Sequence, residues 1–203
     1  MKSALFFSLL VVACAHRPHA ATSSTRYRVG DFVVYRYSGT SLPGPVTLRE
    51  RIVQQVGNRL EIEVRAERGQ EKRDWVQVVI DTPTNQREDR IEALYEVADG
   101  KRTLLANENG RDLLRLYEWV LLVPDGKSTE KMRVSAPFSL LGRPLACETS
   151  SGRNTVKGSA VRIETIECPD FLWTHAFGRF VAADGSELFR VEVTDWGPRP
   201  STR

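Results

Sequence analysis

The sequence predicts a mainly β protein, an antiparallel sheet curved into a half-barrel or sandwich and packed on one helix. Three observations carry that expectation. Leu60, Ile62, Val64 and Ala66 alternate with Glu61, Glu63, Arg65 and Glu67, the two-residue period of a strand with one buried face. Asp184-Gly185, a hairpin-turn dipeptide, stands between two β-rich runs. One stretch breaks the period: Leu113, Leu116, Tyr117, Val120 and Leu121 follow the spacing of an amphipathic helix.

The elements follow in chain order. Phe32-Val33-Val34-Tyr35, within Tyr27 to Tyr37, is a β-rich run closed by Ser38-Gly39. Val46 to Val56 forms the next strand. A three-residue loop at Gly57-Asn58-Arg59 then sets Val56 opposite Leu60 and Ile52 opposite Val64, with the apolar side chains on one face. Trp75 to Ile80 is apolar on both faces and reads as a central strand ending at Asp81-Thr82-Pro83. The helix is expected over residues 111–122, after Asn109-Gly110 and before Pro124-Asp125-Gly126, with Leu104 and Leu105 in an adjoining turn. A strand over residues 119–123 is its competitor.

Cys147 and Cys168 are expected to pair, as two cysteines in an exported domain usually do. The midpoint between them falls on Lys157-Gly158, a hairpin-turn pair that would bring the sulfurs onto facing strands. That register also sets Glu148 against Glu167 and Arg153 against Arg162; because facing like charges destabilise, a bulge or longer loop is the alternative. The last hairpin joins residues 177–183 to 187–194 through a type I′ turn at Asp184-Gly185. It puts Phe180 opposite Phe189 and packs Val191 and Val193 over Gly178 and Ala176. Trp196 and Gly197 close the strand, and residues 198–203 form a loose tail.

The amino terminus carries an address. Lys2 precedes an apolar run over residues 4–13, about half of the roughly 20 residues a membrane span requires. The run ends in Leu10-Val11-Val12-Ala13-Cys14, which resembles a bacterial lipobox. The resemblance implies cleavage before Cys14, acylation of its thiol, and a mature protein held on a membrane by lipid. Ala15, where an Asp would imply retention in the inner membrane, points to the outer membrane. A second reading stays open: Ala13-Cys14-Ala15 also fits an ordinary signal peptidase, which would release a secreted or periplasmic protein starting at His16. The organisation read from this is a signal peptide at 1–13, a tether at 14–25, a single β-rich domain at 26–197 and the tail.

Composition narrows the function. The hydrophobic fraction of 41% is that of a globular domain. The net charge is +3, falling to +2 once Lys2 leaves with the leader, and acidic and basic residues are interleaved. No basic patch of the kind nucleic acid requires is visible, so no nucleic-acid partner is expected. No Gly-x-Ser-x-Gly elbow, His-Glu-x-x-His pair or phosphate loop is present, and no metal or cofactor is expected. His16 and His19 fall in the tether, and His175 has no neighbouring group to orient it as a base. Phe171, Trp173, His175 and Phe177 share one side of an extended stretch; they form a core strand or the aromatic mouth of a lipid or peptide site. Glu61, Glu63 and Glu67 with Arg49 and Arg51 read as solvated cross-strand pairs.

Tyr27-Arg28-Val29-Gly30-Asp31-Phe32-Val33-Val34-Tyr35, Tyr117-Glu118-Trp119 and the ending from Ala183 to Val193 resemble uncharacterised small lipoproteins of myxobacteria. That resemblance implies an envelope location and brings no activity. The leading expectation is a non-enzymatic outer-membrane lipoprotein that binds other envelope proteins. A half-barrel carrier or chaperone for a lipid or lipidated protein is the alternative, by likeness to outer-membrane lipoproteins that pass lipidated proteins along. An enzyme of unknown type ranks third, for want of an assembled acid, base or nucleophile.

Overall fold

The computed structural model describes residues 27–80, 91–107, 132–156, 158–168 and 175–197. The signal peptide, the tether, the helix expected over 111–122 with its competing strand, and the tail lie outside them. Two-residue alternation produces strands wherever the described chain carries it. They are β1 (Phe32–Ser38), β2 (Val46–Val56), β3 (Arg59–Arg68), β4 (Glu71–Ile80), β5 (Ile91–Ala98) and β6 (Lys101–Asn107). The second series is β7 (Met132–Leu140), β8 (Arg143–Val156), β9 (Ser159–Glu167), β10 (His175–Ala182) and β11 (Glu187–Gly197).

All eleven join one antiparallel sheet in the order β6-β5-β4-β3-β2-β1-β11-β10-β9-β8-β7. Two meanders run outward from a shared seam, where the first strand pairs with the last. A single sheet replaces the two-sheet sandwich that the sequence also allowed. At the seam the chain leaves β1 through Gly39, whose φ of 126° is open to glycine. A Cβ there would collide with the carbonyl of Leu188 on β11.

The short turns decide the registers. Gly57, with φ 61°, occupies the first position of a two-residue turn, as type II′ geometry demands. Arg59 therefore already belongs to β3 and pairs with Val56, and after an irregularity near Val53 Ile52 meets Ile62. The expected three-residue loop, with Ile52 opposite Val64, is corrected by this shorter turn. Both registers keep Ile52 buried, so burial alone could not choose between them.

The last hairpin places Phe180 opposite Phe189 and Gly178 opposite Val191, as expected. Its turn differs. The Gly185 N–H donates to Ala182, and the Ala182 N–H donates to Ser186. Gly185 alone takes a positive φ, 86°. This is a type I turn with a following left-handed glycine, in place of type I′, and it costs one irregularity between Phe180 and Val181.

β8 and β9 run in register from Glu148↔Glu167 to Val156↔Ser159, with no bulge. Within the Arg153–Arg162 pair, Arg162 meets Glu164 on its own strand at 3.1 Å. Leu104 and Leu105, expected in a turn, lie in β6. Neither β5, β6 nor β7 has the clean alternation that would have announced it.

The core is one apolar face running from Leu94 on β5 through Leu60, Ile62, Leu48, Tyr35 and Val193 to Ala176, all buried. Trp75 to Val79 is buried on both faces, the central strand its composition implied. At the other end of the sheet, β8 pairs with β7 down to Arg143 but with β9 only from Glu148. The β7–β8 ribbon therefore projects past β9. Its Leu140 and Cys147 are buried in the same core cluster, and the Arg143 guanidinium lies 4.6 Å from the Trp196 ring centre. The Cys147–Cys168 disulfide ties the ribbon where it leaves the sheet.

Candidate functional site

A concavity bounded by described residues lies on the polar face of β1–β6. It has a volume of about 560 Å3 and is lined by Phe32, Arg49, Arg51, Glu63, Arg65, Asp74, Val76, Val97 and Arg102, among others. Such a volume falls within the roughly 300–1,000 Å3 of ligand-binding clefts.

Alternation builds it. Arg49 and Arg51 of β2 share a face with Glu61, Glu63 and Arg65 of β3, because Arg51 stands opposite Glu63 and Arg49 opposite Arg65. Asp74 of β4 stands opposite Arg65. Arg51 reaches Glu63 at 2.7 Å. Arg65 holds Asp74 through two parallel bonds, Nε at 2.7 Å and Nη2 at 3.0 Å. This forked bond is the largest cause of the rise in the Arg65 pKa, followed by the charge of Asp74.

Arg102 contributes a longer reach. It crosses β5 and β4 to donate to Glu61 on β3 at 3.0 Å. Arg59 likewise reaches past β4 to Glu92 on β5 at 3.1 Å. Val76 and Val78 lie on the strand these pairs cross, and both are buried although they share the charged face. Each exposed pair contributes about 0.2–1 kcal/mol at most. Their importance is positional: they hold guanidinium groups around an apolar floor.

Arg49 is the exception among these arginines. Its guanidinium lies 5.8 Å from the Phe32 ring centre, and no carboxylate pairs with it among the described residues. Directly opposite stands Arg65, whose charge Asp74 already answers. The lining thus holds four arginines and two carboxylates.

The polar face of β9–β11 is charged differently. Arg179 bonds Glu164 at 2.6 Å, Arg190 bonds Glu192 at 2.8 Å, and Arg162 also reaches Glu164. The Glu192 bond is the main cause of the upward shift in the Arg190 pKa, which burial opposes.

The residues singled out from sequence are dispersed. Cys14, Phe171 and Trp173 lie outside the described residues. His175 opens β10, and the register with β9 shifts between it and Phe177. Phe177 is half-buried, with the Arg190 guanidinium 5.0 Å from its ring centre. Cys147 and Cys168 are joined as expected. Of the carboxylates and arginines expected to pair between β2 and β3, only Arg51 and Glu63 do so among the described residues; Glu61 is held by Arg102 of β6, Glu67 by Lys72 of β4, and Arg49 rests over Phe32. Arg102 was missed because nothing in sequence marked residues 101–107 as a strand folding beside that face.

No family model and no curated protein matches the chain. Solved structures are similar at low identity. A hypothetical protein of Chlamydia trachomatis is 14% identical with a TM-score of 0.48, over 85% of this chain and 88% of that one. The MucA/MucB complex of Pseudomonas aeruginosa matches at 12% identity and a TM-score of 0.45, over 85% of this chain and 53% of that chain. A structure of MucB matches at 14% and 0.48, over 86% and 56%. This chain spans about half the length of those last two. Among the described residues, no three His, Cys, Asp or Glu side chains cluster as a metal site would require, and no helix is long and apolar enough to cross a membrane.

Proposed function

We propose that the protein is a lipid-anchored, non-enzymatic component of the cell envelope, held at the outer membrane through Cys14, that binds another envelope protein. The groove on β1–β6 carries this reading: a built concavity with an apolar floor and an excess of positively charged donors suits binding. Export is supported by the leader and by the Cys147–Cys168 bond, since disulfides persist in oxidising compartments. Two or three acyl chains on Cys14 anchor durably, whereas one chain alone holds marginally.

Two measurements test the halves separately. Cys14→Ser should abolish acyl labelling and leave the precursor uncleaved; a normally processed variant would mean that ordinary signal peptidase acts after Ala15. Crosslinking in intact cells, followed by purification of the full chain, should recover the same envelope protein in repeated preparations. A chain recovered alone at every crosslinker length would end the partner reading.

A half-barrel carrier for a lipid or lipidated protein is the second reading. It requires an acyl-sized cavity along the apolar face that continues from β5 to β8. Native mass spectrometry of the purified protein should then detect a co-purifying acyl species, and a clean apo mass would exclude it.

A further inference from the structure

Resting on the envelope-binding reading above, we infer that the groove on β1–β6 receives an extended acidic segment of the partner protein, whose alternate carboxylates are read by Arg49 and Arg51. Arg49 and Arg51 project from one face of β2, two residues and so about 7 Å apart along the strand. Carboxylates at alternate positions of an extended peptide have that same spacing. Arg49 has no carboxylate of its own among the described residues, faces Arg65, and is propped against Phe32 at 5.8 Å. A guanidinium offers five N–H donors, so Arg51 can bind a second carboxylate while it keeps Glu63. The intervening side chains of the segment would point away from the sheet, and Phe32 and Val76 would lie beneath its backbone and the carboxylate-bearing side chains.

The arrangement selects a peptide over a membrane surface. Glu63 stands among the arginines, and a dense layer of lipid phosphates pressed onto this face would meet that carboxylate as well. A single extended chain can thread between them. Every polar-face arginine placed above on β9–β11 already holds a glutamate, whereas Arg49 in the groove holds no carboxylate among the described residues.

The test uses the full-length protein and a fluorescent heptapeptide of alternating glutamate and valine, with a glutamine-for-glutamate peptide as control. Anisotropy should show binding of the glutamate peptide alone. Arg49→Ala and Arg49→Gln should each weaken it about tenfold, the loss of one charge-assisted hydrogen bond. Salt near 1 M, where the Debye length falls to about 3 Å, should weaken it further. Unchanged thermal melts of both variants would show that the fold is intact. Equal binding of the two peptides, or affinity indifferent to both substitutions, would overturn the inference. So would Arg49-dependent binding of phosphatidylglycerol vesicles in place of the peptide, which would assign the groove to lipid headgroups. Because this assay needs no native partner, its failure removes the groove's assignment alone and leaves the partner reading to the crosslinking result.

Discussion

β2–β4 and β8–β9 are both antiparallel strands of one sheet, yet they are held together by different means. In β2–β4, Ile52, Leu60, Ile62 and Val79 are fully buried, with Val64 and Trp75 nearly so. Their outer charges pair across strands and across intervening strands. In β8–β9, the only buried side chains among those described are Cys147 and Val161. Like charges face one another, and a disulfide closes the open end. Apolar burial alone suffices where alternation is complete. In β8–β9, where it is poor, the disulfide adds stability by lowering the chain entropy of the unfolded state.

The largest effect that could break this contrast is a cavity in each region. Ile62→Ala, at a fully buried site opposite Ile52, should cost about 2–5 kcal/mol in urea unfolding. Ile163→Ala, half-buried on β9 opposite Gly152, should cost roughly half that or less. Equal losses would mean that both regions rely on apolar burial to the same degree.

Reducing the disulfide comes next. Its half-cystines are 21 residues apart, and closing a loop of that length contributes about 3 kcal/mol in the chain-entropy model. Hydrogen exchange after reduction should show faster exchange at the β7–β8 ribbon and β9 while β2–β4 keeps its protection. Uniform deprotection would show that the tie stabilises the whole sheet equally.

The smallest effect concerns pH. The Ser186 hydroxyl at 2.7 Å, and then its N–H at 2.9 Å, donate to Asp184 and lower its pKa below the ordinary 3.8. A depressed folded-state pKa means that the bonds stabilise the turn above the unfolded value and lose that effect as pH falls through the folded one. An NMR titration should place the Asp184 midpoint below 3.8, and Ser186→Ala should move it up. A midpoint at the ordinary value in the native protein would remove this turn from any account of acid stability.

Legibility followed distance along the chain. The β8–β9 register, the disulfide, the Phe180–Phe189 pair and the central character of β4 were all readable, because each is set by a turn a few residues away or by the composition of one strand. Turn details were not. Gly57 and Gly185 each permit more than one hairpin loop, and neighbouring registers can both bury the same apolar face. β6 was hidden, since Leu104-Leu105 lacks alternation and suits a helix as well as a strand. The aromatic stretch around His175 read as one continuous face, but the register with β9 shifts between His175 and Phe177.

The sequence by itself determined that this chain forms hairpins with one apolar face, and that Cys147 can meet Cys168, because neighbouring strands are registered by the turn between them. Only the tertiary structure decided that the first and last strands meet at the centre, that Arg102 arches over two strands to Glu61, and that Arg49 stands opposite an arginine already satisfied by Asp74. The physical reason is that those contacts join strands not linked by any local turn. They depend on sheet order and curvature, which the packing of the whole apolar face sets at once.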